Sequence, residues 1–316
     1  MLVLSTTKLT DALERMLVER FDTLTFKFMA DIDQAEPFLA EAEILITYGE
    51  DIKEAHIKKA KALKWIMVIS AGVDQLPFHV IIERNILVTN ARGIHQIPMA
   101  EYAIAMLLNH YRQHQVFAEQ QVEKVWDSTI ATREISGRTL TIVGAGAIGQ
   151  ELARIGQAFR MTTIAVTHSG GKRRYFDHVY QNHQLEQALS NADFVVSLLP
   201  STAETKGYYQ YNHFEKMKND AIFLNMGRGD AVDPTVLIKA LDAQQFEHAI
   251  LDVTPVEPLP KDSPLWEHDK ITLTPHVSGK SAHYLPRALE IFTNNLQDYM
   301  QGITPSLNKV NLSRGY

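Results

Sequence analysis

Residues 139–149 of the chain read TLTIVGAGAIG. The apolar first half predicts a buried β-strand, and the pattern Gly-x-Gly-x-x-Gly follows it directly. Apolar residues then recur at helical spacing from Ile148 to Phe159, which predicts a helix. This strand–turn–helix context favours a turn that binds the pyrophosphate of a dinucleotide over a turn that only packs a helix against a strand.

Each glycine of the turn has a separate task. Gly144 permits the tight turn, Gly146 lets the backbone approach a pyrophosphate, and Gly149 lets the helix pack close to the strand. The helix that begins at Ala147 and Ile148 would present free N–H groups and the positive end of its dipole to the phosphates. We therefore expect the whole turn to contact a cofactor.

The composition is that of an ordinary globular protein. The chain has 316 residues, of which 45% are hydrophobic and 22% charged, which is enough for two domains. A formal net charge of -6 predicts no nucleic-acid partner. The absence of cysteine excludes disulfides, thiol nucleophiles and cysteine-ligated metals. We see no signal peptide and no apolar run of the ~20 residues that a membrane span needs, so we expect a cytoplasmic protein without a membrane partner.

Short apolar runs alternate with amphipathic stretches in two series. The alternation predicts β–α–β units and parallel sheets, and the uninterrupted apolar runs indicate strands covered on both faces. The first series of strands is Leu2–Leu4, Leu24–Phe28, Ile44–Thr47, Trp65–Ile69 and Ile86–Val88. The second series is Leu140–Val143, Thr163–Thr167, Phe194–Leu199, Ala221–Asn225, Ala249–Val253 and Ile271–Thr274. Six strands are the number in a full doubly wound nucleotide domain.

The glycine turn lies in the middle of the chain, and this determines the expected domain layout. The first series of strands ends at a break near Gly93, and the second series ends at a break near Gly279. We expect an α/β fold of two doubly wound parallel-sheet domains. A discontinuous, flavodoxin-like outer domain would comprise residues 1–92 and 281–316, and a Rossmann domain of residues 93–280 would be inserted in it.

The strand after the glycine turn distinguishes between the two nicotinamide dinucleotides. NAD-binding domains carry an acid about 20 residues beyond the turn, where it binds the ribose 2′-hydroxyl. Here the strand ends in Thr167 and continues with His168, Ser169, Lys172 and Arg173. Serine, lysine and arginine can bind and neutralise a 2′-phosphate, whereas a carboxylate would repel it. The loop favours NADP(H) over NAD(H); a solvated basic loop with no ligand is the alternative.

Three polar residues follow later strands of the second series. Arg228 lies between two glycines, Glu257 lies in a proline-rich loop, and His276 follows a proline. Because the carboxyl ends of parallel strands form the ligand-binding edge of such a sheet, we expect the three side chains to converge. The alternatives are a structural ion pair for the arginine, a surface acid for the glutamate and a surface histidine.

This trio suits the reduction of a 2-keto acid. An arginine fork binds the carboxylate and reaches the carbonyl oxygen. A histidine titrates near neutral pH, so it can give and take the proton. A glutamate on the other ring nitrogen orients the imidazole and stabilises its charged form. A nicotinamide cofactor would supply the hydride.

Taken together, these stretches resemble the D-isomer-specific 2-hydroxyacid dehydrogenase family over nearly the whole chain. The marks of the family are Gly144–Gly149, Asn225–Gly229, the segment from Asp252 to Leu259, and Pro275-His276. The resemblance implies an NAD(P)-dependent oxidoreductase that interconverts a small 2-keto acid and its D-2-hydroxy acid. It also implies that Arg228 binds the substrate, that Glu257 pairs with His276, and that His276 is the acid/base.

The resemblance extends to further residues. It implies that Asp252 contacts the nicotinamide amide and that a backbone loop of the outer domain holds the substrate carboxylate. It also implies a homodimer formed through a helix of residues 98–124. The expected cofactor set is Gly144, Gly146, Ala147, Ile148, Gly149, Thr167, His168, Ser169, Lys172, Arg173, Leu199, Pro200, Thr205, Met226, Asp252 and Gly279. The expected substrate set is Ala71, Gly72, Val73 and Arg228, and no metal site is expected.

One departure from the family pattern narrows the expectation. Thr167 stands where the family usually has Asp, so the chain looks closest to the glyoxylate/hydroxypyruvate reductase group. The alternatives are an NAD-linked dehydrogenase of D-3-phosphoglycerate or D-lactate type, and a dinucleotide-sensing regulatory protein on the same fold.

Overall fold

The structure, a computed structural model, describes residues 1–73 and 75–312. Contacts between residues divide the chain into two units. The first unit comprises Met1–Ile94 and Ser281–Tyr316, and the second unit comprises His95–Lys280. The two changes of unit therefore fall between Ile94 and His95 and between Lys280 and Ser281.

Two parallel sheets form the framework. The strands are β1 (Leu2–Ser5), β2 (Thr25–Phe28), β3 (Ala42–Thr47), β4 (Trp65–Val68), β5 (Leu87–Asn90), β6 (Thr139–Val143), β7 (Thr162–Thr167), β8 (His178–Gln181), β9 (Phe194–Ser197), β10 (Ile222–Asn225), β11 (His248–Leu251) and β12 (Ile271–Leu273). The first unit has the strand order β2-β1-β3-β4-β5, and the second has β12-β11-β10-β9-β6-β7-β8. The predicted fold of two doubly wound parallel sheets is confirmed.

Helices connect the strands. They are α1 (Asp11–Arg20), α2 (Ile32–Ala35), α3 (Glu54–Lys59), α4 (Phe78–Glu83), α5 (Gln96–Tyr111), α6 (His114–Glu123), α7 (Ala147–Ala158), α8 (Leu185–Ser190), α9 (Tyr211–Phe214), α10 (Pro234–Asp242) and α11 (Tyr284–Met300). Local chemistry starts some of them: the side chain of Thr10 accepts a hydrogen bond from the N–H of Leu13 at the start of α1. Among the described residues, no helix is long and apolar enough to cross a membrane.

The stretch expected to form one helix over residues 98–124 is two helices. α5 ends at Tyr111 and α6 begins at His114, with Gln113 between them at φ 56°. A left-handed residue cannot continue a right-handed helix, so the chain changes direction there. α5 is anchored by six buried residues, whereas α6 has none. The helical spacing of apolar residues in α5 therefore led to a predicted helix that is too long.

Both sheets are covered on their two faces, which is why their strands are apolar on consecutive residues. In the first unit, Trp65 of β4 stacks on Phe292 of α11, with ring centroids 5.3 Å apart. In the second unit, β9 and β10 are buried along their whole length. Strand β8 was not predicted, because it is a half-exposed strand at the edge of the sheet with the polar sequence HVYQ.

Candidate active site

The carboxyl ends of β10, β11 and β12 lie side by side, because these strands are adjacent and parallel. Arg228 lies shortly after β10, Glu257 after β11 and His276 after β12. The sheet therefore brings the expected arginine, glutamate and histidine to one edge of the second unit.

His276 and Glu257 are joined by a direct hydrogen bond. Nδ1 of His276 lies 2.7 Å from Oε2 of Glu257. Because a carboxylate only accepts, Nδ1 carries the proton, and Nε2 is the nitrogen left to exchange a proton with a ligand. The other oxygen of Glu257 accepts from the N–H of Thr254 at 3.0 Å, which fixes the carboxylate. The side chain of His276 is 52% exposed, so a small ligand has access to it.

The backbone of His276 lies in the left-handed region, at φ 50°. Such a conformation costs about 1–3 kcal/mol for a residue with a side chain. The N–H of His276 donates to the carbonyl of Asp252 at 2.9 Å. The Asp252 carboxylate also accepts from the N–H groups of Val277 and Ser278, each at 2.9 Å. Asp252, which is 1% exposed, therefore anchors the loop that carries His276.

Two hydroxyl groups extend this anchor into α5. Thr274 Oγ1 donates to Oδ1 of Asp252 at 2.6 Å, and the hydroxyl of Tyr102 lies 2.7 Å from Thr274 Oγ1. Sequence reasoning missed both hydroxyls. Tyr102 and Thr274 are 172 positions apart, so no local pattern connects them.

The two glycines beside Arg228 lie close to the backbone of neighbouring loops. A Cβ at Gly229 would lie 2.0 Å from the carbonyl carbon of Thr254, and a Cβ at Gly227 would lie 2.6 Å from the carbonyl oxygen of Leu199. The glycines therefore permit close packing between loops of the sheet edge. This packing holds the backbone beside Arg228 against the loop that begins the Glu257 segment, and Arg228 itself is exposed.

A further histidine, His95, lies close to the group. Its Nδ1 is 3.4 Å from the carbonyl oxygen of Gly279, at the end of the loop that carries His276. Burial lowers the pKa of His95, and the positive charge of Arg228 lowers it further, against the hydrogen bond to Gly279, which raises it. The surroundings of His95 in the sequence contain no recognisable pattern, and sequence analysis assigned it no role.

The glycine turn has the geometry of a phosphate cradle. Gly144 has φ 105°, which a side chain would strain. A Cβ at Gly149 would lie 2.6 Å from the carbonyl oxygen of Gly144, so the helix packs as closely as expected. A Cβ at Gly146 would meet nothing within 4 Å. The N–H groups of Ala147 and Ile148 in the first turn of α7 have no carbonyl partner in the helix. These residues fit the pyrophosphate of a dinucleotide.

The loop after β7 presents the expected basic and hydroxyl groups. Thr167 Oγ1 accepts from the N–H of Gly170 at 3.0 Å, which closes the loop. Arg173 Nη2 donates to Ser169 Oγ at 3.1 Å, so a cation and a hydroxyl lie together. The exposed members of the loop are His168, Ser169 and Lys172.

The remaining expected cofactor residues lie in loops after β9, β10 and β12. Leu199 and Met226 are buried, at 8% and 2% exposure, and Pro200 is exposed. The hydroxyl of Thr205 accepts from the N–H of Thr202 at 2.8 Å. Thr205 therefore shapes its own loop, and its contact with a cofactor stays a prediction.

In the first unit, Ala71-Gly72-Val73 follows β4. The side chain of Asn90 donates to the Ala71 carbonyl at 2.8 Å, and Ser70 Oγ donates to the Gly72 carbonyl at 2.8 Å. Within residues 1–73 and 75–312, the N–H groups of these three residues donate to no protein acceptor. They are therefore available to a carboxylate. Asp74, which continues this loop, lies outside the described residues.

The second unit combines a doubly wound sheet, a glycine turn that fits a pyrophosphate, and a sheet edge with a His–Glu pair and an arginine. This combination is typical of a nicotinamide-dependent oxidoreductase. Comparisons with known proteins agree with this class. Residues 104–278 match the family model described as D-isomer specific 2-hydroxyacid dehydrogenase, NAD binding domain. The chain is 32% identical over 278 residues to glyoxylate/hydroxypyruvate reductase B of Escherichia coli O6:H1, covering 86% of this chain and 85% of that protein.

Solved structures extend the similarity to the whole chain. A D-isomer specific 2-hydroxyacid dehydrogenase family protein from Aeromonas salmonicida is 35% identical with a TM-score of 0.87, covering 98% of this chain and 99% of that chain. A phosphoglycerate dehydrogenase from Lactobacillus plantarum is 31% identical with a TM-score of 0.59, covering 98% and 100%. The chain belongs to the D-isomer-specific 2-hydroxyacid dehydrogenase family. It is an oxidoreductase that acts on the CH–OH group of a small hydroxy acid with a nicotinamide cofactor, as predicted.

Proposed function

We propose that this enzyme reduces small 2-keto acids of the glyoxylate and hydroxypyruvate type to their D-2-hydroxy acids, with NADPH as the preferred cofactor. The observation that carries the proposal is the 2.7 Å hydrogen bond between His276 and Glu257, at the edge of the sheet that also holds Arg228. A histidine paired in this way delivers a proton from its other nitrogen.

Each residue of the edge has a separate task in this proposal. Arg228 binds the carboxylate and draws electron density from the carbonyl oxygen of the substrate. When bound, the nicotinamide supplies the hydride that the carbonyl carbon accepts. Nε2 of protonated His276 gives its proton to the oxygen that becomes the hydroxyl. Glu257 stabilises the imidazolium before the transfer and keeps Nδ1 protonated afterwards. General acid catalysis of this kind contributes about 10²–10⁴-fold in rate.

The preference for NADPH follows from the loop after β7. The strand ends in a threonine and not in a carboxylate, so nothing at that position repels a 2′-phosphate. Ser169 and Arg173 lie within hydrogen-bond distance of each other, and Lys172 is exposed beside them. Such a group can bind phosphate oxygens through charge-assisted hydrogen bonds.

Ala71, Gly72 and Val73 of the first unit stay proposed substrate residues, and their N–H groups donate to no protein acceptor among the described residues. Backbone N–H groups of this kind bind carboxylates without regard to the rest of the substrate. This property suits a small 2-keto acid with little side chain to recognise.

A second candidate is an NAD-linked D-3-phosphoglycerate dehydrogenase type. The 31% identity to a solved phosphoglycerate dehydrogenase favours it. A phosphorylated substrate needs further cations at the site, and Arg228 is the cation among the residues proposed to bind the substrate. We therefore prefer the unphosphorylated substrates.

We also propose that the enzyme is a homodimer formed through α5, α6 and the segment that follows them. The side chain of Trp126 is 97% exposed, and Val122 is 83% exposed. Phe117 and Val125 add apolar surface at 37% and 48% exposure. All four side chains fall within residues 117–126, and such a concentration of exposed apolar side chains supports an interface there.

Initial rates test the proposed reaction. We expect turnover of glyoxylate and hydroxypyruvate with NADPH, slower turnover with NADH, and little turnover of phosphohydroxypyruvate with either cofactor. A His276→Ala variant should lose at least about 100-fold in kcat because the proton donor is missing. Equal or tighter binding of NADH in a fluorescence titration would overturn the cofactor preference. Unchanged turnover in His276→Ala would overturn the role of His276.

A further inference from the structure

Two hydroxyl groups lead to the carboxylate that anchors the loop of His276, and the proposed reaction gives these two hydroxyls no task. The hydroxyls belong to Tyr102 in α5 and Thr274 after β12, and the carboxylate belongs to Asp252 after β11. The consecutive distances are 2.7 Å between Tyr102 and Thr274 and 2.6 Å between Thr274 and Asp252. The second distance is in the short range of charge-assisted O–H···O⁻ bonds, and the first is the usual distance between two hydroxyl groups.

The direction of the chain follows from its last acceptor. Asp252 as a carboxylate can only accept, so the Thr274 proton points to Asp252. Thr274 Oγ1 is then an acceptor toward Tyr102, and Tyr102 donates. Burial raises the pKa of the Tyr102 hydroxyl to about 12, so it stays a donor throughout the neutral pH range. Chains with one direction polarise each other and gain strength.

Asp252 is also the group that holds the backbone around His276. Its carboxylate accepts from the N–H groups of Val277 and Ser278, and its carbonyl accepts from the N–H of His276. These bonds keep His276 at φ 50°, a conformation that the residue does not favour by itself. Anything that orients the Asp252 carboxylate therefore orients the backbone of His276.

We propose that Tyr102 is a positioning residue of the reduction, which acts through Thr274 and Asp252 to hold His276 where its proton reaches the substrate oxygen. This inference rests on the proposed role of His276 as the acid/base. The hydroxyl of Tyr102 pairs with Thr274 and not with His276. His95, directly before α5, contacts the same loop at its other end through the hydrogen bond to Gly279. The start of α5 is thus a rigid support for the loop on both sides of His276.

A Tyr102→Phe variant tests the proposal because it removes only the hydroxyl. We expect kcat for glyoxylate to fall about 3- to 10-fold, the effect of one lost hydrogen bond on positioning. The KM for NADPH should stay within about twofold, since the hydroxyl that is removed pairs with Thr274 and not with the glycine turn. A change confined to KM, or no change in kcat, would overturn the proposal.

Substitutions of Thr274 test the route. Thr274→Ser keeps the hydroxyl and should keep kcat within about twofold, whereas Thr274→Val removes it and should lower kcat at least as much as Tyr102→Phe. The double variant Tyr102→Phe/Thr274→Val should be no slower than Thr274→Val alone, because Tyr102 acts through Thr274. If Tyr102→Phe costs the same factor in the Thr274→Val background, Tyr102 acts by another route and the inference is wrong.

Tyr299→Phe is the matched control. Tyr299 donates to Glu43 at 2.9 Å in the first unit, so this variant also loses one partly buried hydroxyl bond. We expect a similar loss of thermal stability in Tyr299→Phe and Tyr102→Phe, with kcat lowered only in the latter. Equal falls in kcat would indicate a general effect of stability and overturn the inference. Failure of the proposed reaction itself is recognised separately, by wild-type enzyme that does not reduce 2-keto acids or by an active His276→Ala variant.

Discussion

Gly146 and Gly149 belong to the same turn, yet a methyl group would meet different surroundings at each. At Gly149 it would collide with backbone of the turn, 2.6 Å from the carbonyl oxygen of Gly144. At Gly146 it would meet nothing within 4 Å. Close packing therefore requires a glycine at position 149, whereas a side chain at position 146 would meet no protein atom.

We therefore predict that Gly146→Ala folds normally but binds NADPH poorly. The melting temperature without cofactor should stay within about 2 °C of wild type, because no protein atom has to move. The Kd for NADPH should rise about tenfold or more, because the methyl group occupies the space needed for the pyrophosphate. Fluorescence titration and thermal unfolding measure the two effects. Gly149→Ala is the control, and we expect it to lower the melting temperature.

Residue-level geometry also explains which parts of the site could be predicted. His276, Glu257 and Arg228 were expected to converge because each follows a strand of one parallel sheet, and strand ends can be read from apolar runs. The left-handed backbone of His276 could not be predicted, because it depends on hydrogen bonds to Asp252. Nor could Tyr102, since its partner lies 172 positions away.

An ion pair joins the segment between α6 and β6 to Glu247, the residue directly before β11. Nη1 and Nη2 of Arg133 each lie 2.6 Å from one carboxylate oxygen of Glu247, and Nε2 of His110 lies 3.1 Å from Oε1 of Glu247. Burial raises the pKa of Glu247, but the hydrogen bonds from His110 and Arg133 outweigh it and lower the pKa to about 2. The segment after α6 is thus held at its end by a bidentate ion pair.

This ion pair predicts how stability depends on pH. Since the folded pKa of Glu247 lies below its ordinary value, the stabilisation is complete above about pH 4.5 and is lost as the pH falls toward 2. Glu247→Gln should lower the free energy of unfolding by about 2 kcal/mol at pH 7, a value reduced for partial exposure. The difference from wild type should shrink between pH 4.5 and 3 in chemical denaturation. A difference that does not change with pH would contradict the assignment. Glu54→Gln, at the exposed pair with Lys58, is the control and should change little.

Helix α6 and the segment after it offer the surface for the proposed homodimer. Trp126→Ala should shift the enzyme from dimer to monomer at micromolar concentration, because tryptophan is the side chain most often central to an interface. Light scattering coupled to size-exclusion chromatography measures the mass. Trp266→Ala is the control, since Trp266 is also exposed, at 54%, but donates a hydrogen bond to Pro260 within its own loop. A wild-type monomer, or a dimer that survives Trp126→Ala, would contradict the proposed interface.

At the scale of the whole molecule, each unit has its own apolar core. In the first unit α11 returns from the end of the chain to cover one face of the sheet, with Ala288, Leu289 and Phe292 buried. In the second unit a separate cluster around Phe214, Phe223 and Phe246 covers one face. The two series of alternating apolar and amphipathic stretches were enough to predict two parallel sheets. The broken helix after Tyr111 was not predictable, since it depends on the backbone of Gln113.

Because each unit has its own apolar core, we predict that a destabilising core substitution affects only the unit that contains it. Phe292 and Phe214 are both fully buried, and each stacks on another ring: Phe292 on Trp65 at 5.3 Å and Phe214 on Phe246 at 5.1 Å. Replacing either by alanine should cost about 3–5 kcal/mol through lost contacts and a cavity. In hydrogen–deuterium exchange, Phe292→Ala should accelerate exchange in β1–β5 and leave β6–β12 near the wild-type rate, and Phe214→Ala should do the reverse. Saturating NADPH should slow exchange in β6–β12 of the Phe214→Ala variant by mass action. Equal acceleration across both sheets in both variants would mean that the units unfold as one, against this prediction.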